Sequence, residues 1–294
     1  MRSARDRAAL VALLRLNRRP WGEYVATLER ARGALSVLEA ELEGDGGQIS
    51  LLPGRSEPLL ARAAAEIQDW DRAGFRVLTI LDEGYPQNLR TVHDRPPLIF
   101  VAGALAEQDA RSIAVIGARR ATPDGVSRTT AIAEGLVGAG YVVVSGLAAG
   151  VDSAAHRAAR AAGGRTVAVI GTGLRHAYPS QNAALQSQIA KEGAVISQFW
   201  PDTPPSRETF PMRNAVMSGF ALGTVVVEAS HRSGARLQAR LAVAHGRPVF
   251  LVRSLLAQAW AQEMALRPGV HVVDGADQVI STIERRDASD APVE

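Results

Sequence analysis

Short, unbroken apolar runs alternate along this chain with longer amphipathic segments, and the alternation predicts most of its architecture. Runs rich in Val, Ile and Ala fall near residues 98–102, 112–117, 141–145, 166–170, 194–197, 224–228 and 248–252. Between them, helical patterns fall near 124–139, 151–162, 180–192, 212–221 and 233–245. Strands that are apolar throughout are buried on both faces. Strand–helix alternation at this spacing means βαβ units and an α/β fold with a parallel sheet.

The start of the chain reads differently. Leu10, Val11, Leu13, Leu14 and Leu16 form one apolar stripe; Trp21, Tyr24, Val25 and Leu28 form a second after Pro20; Leu35, Val37, Leu38 and Leu42 form a third. These predict a small helical unit over residues 1–43. Gly44–Gly47 and Pro53-Gly54 mark a break,. A helix is predicted from about Glu57 to Ala73, stopped by Gly74, with a strand at Phe75–Ile80. The expected organisation is a helical domain with its linker over 1–56, a core over 57–286 and a polar, disordered tail over 287–294. Past about residue 253, Val270–Val273 reads as a short edge strand and Ala276–Arg285 as a last helix.

The unusual residues gather after the apolar runs. Loops at the carboxyl ends of strands line the ligand crevice of an open parallel sheet. Gly117-Ala-Arg-Arg120 follows one run and precedes a helix, so its free amides and its two Arg suit a phosphate, or a solvated surface turn,. It lacks the Gly-x-Gly-x-x-Gly spacing of a dinucleotide site. Ser145-Gly146 opens a second turn, with Asp152 and His156 one helical turn apart behind it. These two make either an acid–base pair or a helix-capping Asp beside a structural His, and the second reading is preferred. Gly171-Thr-Gly173 is a third turn. In Phe210-Pro-Met-Arg213-Asn214, an aromatic, a cation and an amide can stack on a base, grip a phosphate and read a base edge,. The same residues also make an ordinary helix start. Glu228 ends a strand ahead of Ser233-Gly234, and a buried pairing with Arg213 or Arg119 is expected over catalysis.

Composition narrows the function classes. There is no cysteine, which removes disulfides, thiolate catalysis and Cys-based metal sites,. The cations are almost all Arg, with Lys191 the only lysine, but the net charge of +3 is too small to argue for nucleic acid by itself. No apolar run reaches a membrane span and no signal-peptide pattern opens the chain, so a cytoplasmic protein without a membrane partner is expected,.

Together the motifs resemble the DNA-processing protein A family, also called Smf. The resemblance rests on Tyr85-Pro86, Ile116-Gly-Ala-Arg-Arg-Ala-Thr122, Ser145-Gly-Leu-Ala-Ala-Gly-Val-Asp152 with His156, and Gly171-Thr-Gly-Leu174. It continues through Tyr178-Pro179 with Asn182, Phe210-Pro-Met-Arg-Asn214, Val227-Glu-Ala229 and Gly246-Arg-Pro-Val-Phe250. It implies an extended Rossmann-like core behind a sterile-alpha-motif-like helical domain. It also implies a non-enzymatic protein that binds and protects single-stranded DNA, dimerises, and helps load the RecA recombinase in natural transformation. Gly117, Arg119, Arg120, Ser145, Gly146, Gly173, Phe210, Arg213 and Asn214 would then contact DNA. Asp152, His156, Glu228 and Ser233 would order the pocket. No cofactor or metal is expected.

The chain departs from the family pattern in three places. Arg253-Ser254 replaces a Pro-Gly, Ala235-Arg-Leu-Gln238 replaces a segment ending Leu-Ile-Thr, and the residues past the core are expected to close the sheet and not to form the family's winged helix. These departures keep open a nucleotide-ligand sensor, or a regulatory or antitoxin partner of a neighbouring toxin or defence protein.

Overall fold

The computed structural model describes residues 4–31, 33–43, 56–231 and 233–290. The expected Gly/Pro-rich break at 44–55 lies outside the described residues, as do positions 291–294. The chain divides into two compact units: residues 1–85 with 94–100, and residues 86–93 with 101–294. The helix and strand that the sequence pattern assigned to the start of the core therefore group with the N-terminal helices.

The first unit holds α1 (Ala4–Leu16), α2 (Trp21–Arg30), α3 (Ala34–Glu43), α4 (Ser56–Arg72), β1 (Phe75–Thr79) and the start of β2 (Leu98–Gly103). α1 is more than a striped helix. Every residue from Ala8 to Leu14 is buried, because α3 and α4 both pack on it. A helix that is apolar all round belongs at the centre of its bundle. Asp6, in the first turn of α1, accepts from Leu35 N–H at 3.1 Å and so caps α3,. Several arginines of this unit are held in ion pairs: Arg15 with Glu66 at 2.6 Å, Arg7 with Asp82 at 2.8 Å, and Arg95 with Glu29.

The second unit carries the predicted α/β core. In chain order it holds α5 (Gln87–Arg90), β3 (Ser112–Ile116), α6 (Pro123–Gly138), β4 (Val142–Ser145), α7 (Val151–Ala161), β5 (Thr166–Val169) and α8 (Ala183–Glu192). Next come β6 (Ala194–Ser197), α9 (Thr209–Phe220), β7 (Gly223–Val226), α10 (Gly234–Ala244) and β8 (Val249–Val252). α11 (Ala259–Ala265), β9 (Val270–Val273) and α12 (Ala276–Asp290) close the unit. β3 to β9 form parallel pairs in the order β6-β5-β4-β3-β7-β8-β9.

Every residue of β3, β4, β5, β6, β7 and β8 is buried, which is why these strands read as apolar runs without alternation,. α6, α7 and α12 share one hydrophobic cluster with Ile113, Val115, Val143, Val225 and Phe250. α9 and α10 stand outside that cluster and pack on β3, β5, β7 and β8. β9 is the expected edge strand. α12 runs on to Asp290, through residues expected to be frayed.

After β3 the chain steps outward through β4, β5 and β6. It then returns to the other side of β3 as β7. That reversal leaves a crevice at the carboxyl ends of β3 and β7, the topological switch point where such sheets hold ligands.

Candidate nucleic-acid interface

A crevice of about 670 Å³ opens at this switch point. It is walled by the β3–α6 loop, the β7–α10 loop and the first turns of α9 and α10. Of the residues expected there, Gly117, Arg119, Arg120, Asp152, Phe210, Arg213, Asn214, Glu228 and Ser233 do line it. Ser145, Gly146, His156 and Gly173 do not.

The floor is a closed polar knot. Asp152 stands in the first turn of α7, buried; its carboxylate accepts from Ala148 N–H at 3.4 Å, and the amides of Gly117 and Gly146 also favour its charged form. The amides of Gly117 and Gly146 were expected to receive a phosphate; they act on the protein's own buried carboxylate. Burial, the largest influence, pushes the Asp152 carboxyl up. The Arg213 guanidinium and the three amides pull against it,.

Arg213 is also a floor residue, only 6% exposed. Its Nη1 donates to Gly146 O at 2.5 Å and Val169 O at 2.8 Å, and its Nε donates to Asn214 Oδ1 at 3.1 Å. It thus ties the ends of β4 and β5 together, with Asn214 as its buried acceptor. A Cβ at Gly146 would run into this guanidinium, which is the reason for glycine there. Leu147, next along, is held at φ 57, a conformation uncommon outside glycine,. Asn182 Nδ2 braces the same turn by donating to Leu147 O at 2.8 Å and Ala148 O at 3.3 Å.

Three further residues lie behind the floor. Ser145 Oγ is fully buried and donates to Val115 O at 2.7 Å. The Gly173 amide donates to Thr203 O at 2.8 Å, and a Cβ on Gly173 would strike the carbonyls of Trp200 and Pro201. This glycine serves the close approach of two loops. His156 is fully buried and faces Thr166 across 2.7 Å, not Asp152. Because the Thr166 hydroxyl donates to Val143 O at 2.6 Å, it accepts from His156 Nδ1–H,. Burial pushes this imidazole down to about 3, so it is neutral and structural,.

The rim is open. Arg119 and Arg120 are both exposed. The Arg119 guanidinium carbon lies 5.2 Å from the centre of the Phe210 ring. Phe210 sits in the first turn of α9, not ahead of it, backed by Gly171 and with the Tyr178 ring centre 5.5 Å away. Tyr178 is 44% exposed, so the rim presents two aromatic rings and a planar cation,. Sequence reading quoted Tyr178 without giving it a role; its place beside Phe210 depends on the folded loop.

Glu228 takes a different partner from the one expected. It pairs with neither Arg119 nor Arg213. Its Oε2 accepts from both Thr122 N–H and Thr122 Oγ1–H at 3.0 Å, at the N-terminus of α6. Thr122 Oγ1 in turn accepts from Gly125 N–H. The carboxylate thus fixes the loop that carries Arg119 and Arg120, and it interacts favourably with the helix dipole. Ser233 caps α10, accepting from Ala235 N–H at 3.2 Å. Gln238, Gln258 and Met217 also line the crevice and were not anticipated.

A family model for DNA recombination-mediator protein A matches residues 76–284. The chain belongs to this family. It is 35% identical over 212 residues to DNA processing protein DprA of Streptococcus pneumoniae, covering 71% of this chain and 75% of that protein. It is 31% identical over 232 residues to DprA of Bacillus subtilis, covering 78% and 77%. With Protein Smf of Synechocystis it shares 34% identity over 233 residues, 78% of this chain but 58% of that protein.

Two solved structures are similar. The X-ray structure of DprA from S. pneumoniae aligns with a TM-score of 0.69 at 29% identity, over 94% of this chain and 92% of that one. DprA from Helicobacter pylori, solved for its single-stranded DNA binding mode, aligns with a TM-score of 0.63 at 26% identity, over 72% and 96%. The resemblance read from the motifs is thus correct. Among the described residues, no helix is long and apolar enough to cross a membrane.

Proposed function

We propose that this protein binds single-stranded DNA in the crevice and serves as a recombination mediator, protecting the strand and helping to deliver it to RecA. The observation that carries the reading is the rim. Exposed Arg119 stacks over Phe210, with Arg120 and Tyr178 beside it, in a chain of this family. Arg119 and Arg120 neutralise phosphates, and the Arg119–Phe210 stack and Tyr178 meet unstacked bases, whose faces are free only in a single strand. Asp152, Arg213 and Asn214 keep the floor rigid, and Glu228 holds the arginine loop in place. The role needs no catalytic turnover. A homodimer joins two crevices into a longer basic track, which releases more counterions.

The test is fluorescence anisotropy with single- and double-stranded oligonucleotides of one length across a salt series, with light scattering for the dimer. Single strands bind tighter, and affinity falls steeply with salt. Equal affinity for duplex, or a flat salt response, overturns the reading.

A further inference from the structure

Gln238 is a crevice residue whose chemistry the rim and floor leave unused. It lies on α10, one turn beyond Gly234 and on the face that lines the crevice,. It is 1% exposed. Among the described residues that line the crevice, it alone has buried side-chain nitrogen and oxygen atoms with no hydrogen-bond partner in the protein. A buried primary amide left in that state is costly, and folds keep such groups satisfied unless something else completes them.

We infer that Gln238 reads the edge of a nucleobase inserted into the crevice. The side-chain amide offers an acceptor and a donor side by side in one plane. Nucleobase edges carry the same pair in complementary order, and Gln can engage them with two hydrogen bonds. The surroundings supply what the remainder of a nucleotide needs. Arg119 and Arg120 take its phosphate, and the Arg119–Phe210 stack takes a ring face. The crevice volume of about 670 Å³ is within the range of small-molecule pockets,. The shared chemistry is one nucleotide unit, whether part of a strand or free. The inference rests on the proposed DNA-binding site but goes further, because stacking at the rim accepts any base face, whereas Gln238 engages a base edge.

The experiment compares the wild-type protein with Gln238→Met, which keeps the length and removes the amide. Ligands are an oligo-dT strand, an abasic strand of the same length and the four deoxynucleoside monophosphates. Wild type should prefer the based strand. Gln238→Met should lose about tenfold of that preference, the low end of a lost bidentate pair, with affinity for the abasic strand unchanged. The ligand-free variant should melt no lower than wild type, since it no longer buries an unpartnered amide. Competition by a monophosphate as effective as the strand assigns the unit to a free nucleotide; competition by the strand alone assigns it to DNA.

An unaltered preference in Gln238→Met, or a clearly lower melting temperature, overturns the inference and leaves the DNA reading standing. If wild type binds neither strand, the DNA reading fails. The inference then survives only if monophosphates bind wild type and not the variant, and is overturned if they bind neither.

Discussion

The rim and the floor of one crevice use the same side chain in opposite ways. Arg119 on the β3–α6 loop is exposed and lies over an aromatic ring. Arg213, on the buried face of α9, spends its donors on Gly146, Val169 and Asn214. Both read as phosphate ligands in sequence, Arg119 in a turn after a strand and Arg213 in the Phe210–Asn214 motif at a helix start. The difference lies in what each guanidinium finds before any ligand arrives. Backbone carbonyls at the ends of β4 and β5 point into a space closed to water and require donors. The floor likewise brings its own acceptor to the amides, the Asp152 carboxylate, which accepts from Ala148 N–H. A cation or an amide at a strand end is therefore free for a ligand only when the fold has no prior use for it.

The strongest way to break this comparison is Arg213→Ala. It removes the donor of two buried carbonyls and the cation facing Asp152. We expect a stability loss of about 3–5 kcal/mol, as when one partner of a buried charge pair is deleted. Chemical denaturation measures it. A loss near zero, with only DNA affinity reduced, would move Arg213 from the floor to the rim.

The floor also has a pH signature. Buried neutral His156, held at about 3, binds no proton in the fold, whereas the unfolded chain protonates it below its ordinary value of 6.5. The unfolded state thus binds more protons between these values. Stability from this group is complete above pH 6.5 and is lost as pH falls towards 3, at up to about 1.4 kcal/mol per pH unit. Asp152, raised by burial, acts oppositely: its contribution is present at low pH and fades as pH rises through its folded value. The comparison with His156→Gln isolates the histidine. The variant's stability should depend on pH less steeply by about one proton between pH 6.5 and 4.5. Parallel curves for the two proteins would mean that His156 titrates normally.

The rim should respond through binding instead. Arg119→Ala should weaken single-strand binding by about 1–3 kcal/mol, the size of a lost charge-assisted contact. The same change should leave stability within about 0.5 kcal/mol, as for an exposed substitution. Anisotropy and a denaturation curve on the same sample decide it, and a large loss of stability would erase the distinction between rim and floor.

The fold was legible where a single physical rule governs the pattern. Strands buried on both faces leave unbroken apolar runs, so β3 to β8 and the helices between them could be placed from sequence. The breadth of α1 was missed because burial on all sides depends on α3 and α4. The short α5 and α11 carry too few turns to set up a period. At the site, the motifs located the crevice, but sequence could not say which polar atoms were already occupied. Gly173 was read as an anion-binding turn, yet it answers to the carbonyls of Trp200 and Pro201. Ser145 and His156 stand next to crevice residues in sequence and face inward in space. Gln238 carried one signal, an amide on the crevice helix where the family pattern ends in Thr.

The smallest effect sharpens the boundary between the two regions, because Glu228 belongs to both. Its carboxylate faces the crevice from the loop after β7 but bonds to Thr122 at the start of α6. Glu228→Gln keeps the size, keeps one acceptor and removes the charge. The loss of a carboxylate at a helix N-terminus should destabilise the protein by about 0.3–1 kcal/mol. The same change removes a negative charge from a site proposed to hold phosphate. Direct electrostatics therefore predicts tighter DNA binding, whereas a loosened arginine loop predicts weaker binding. The short, paired contacts to Thr122 favour the loop: Glu228→Gln should bind single strands slightly more weakly, and Thr122→Val, which removes the hydroxyl linking Glu228 to Gly125, should do the same. Tighter binding by Glu228→Gln would show that the loop keeps its shape without the charge, and that Glu228 acts on the ligand through its field alone.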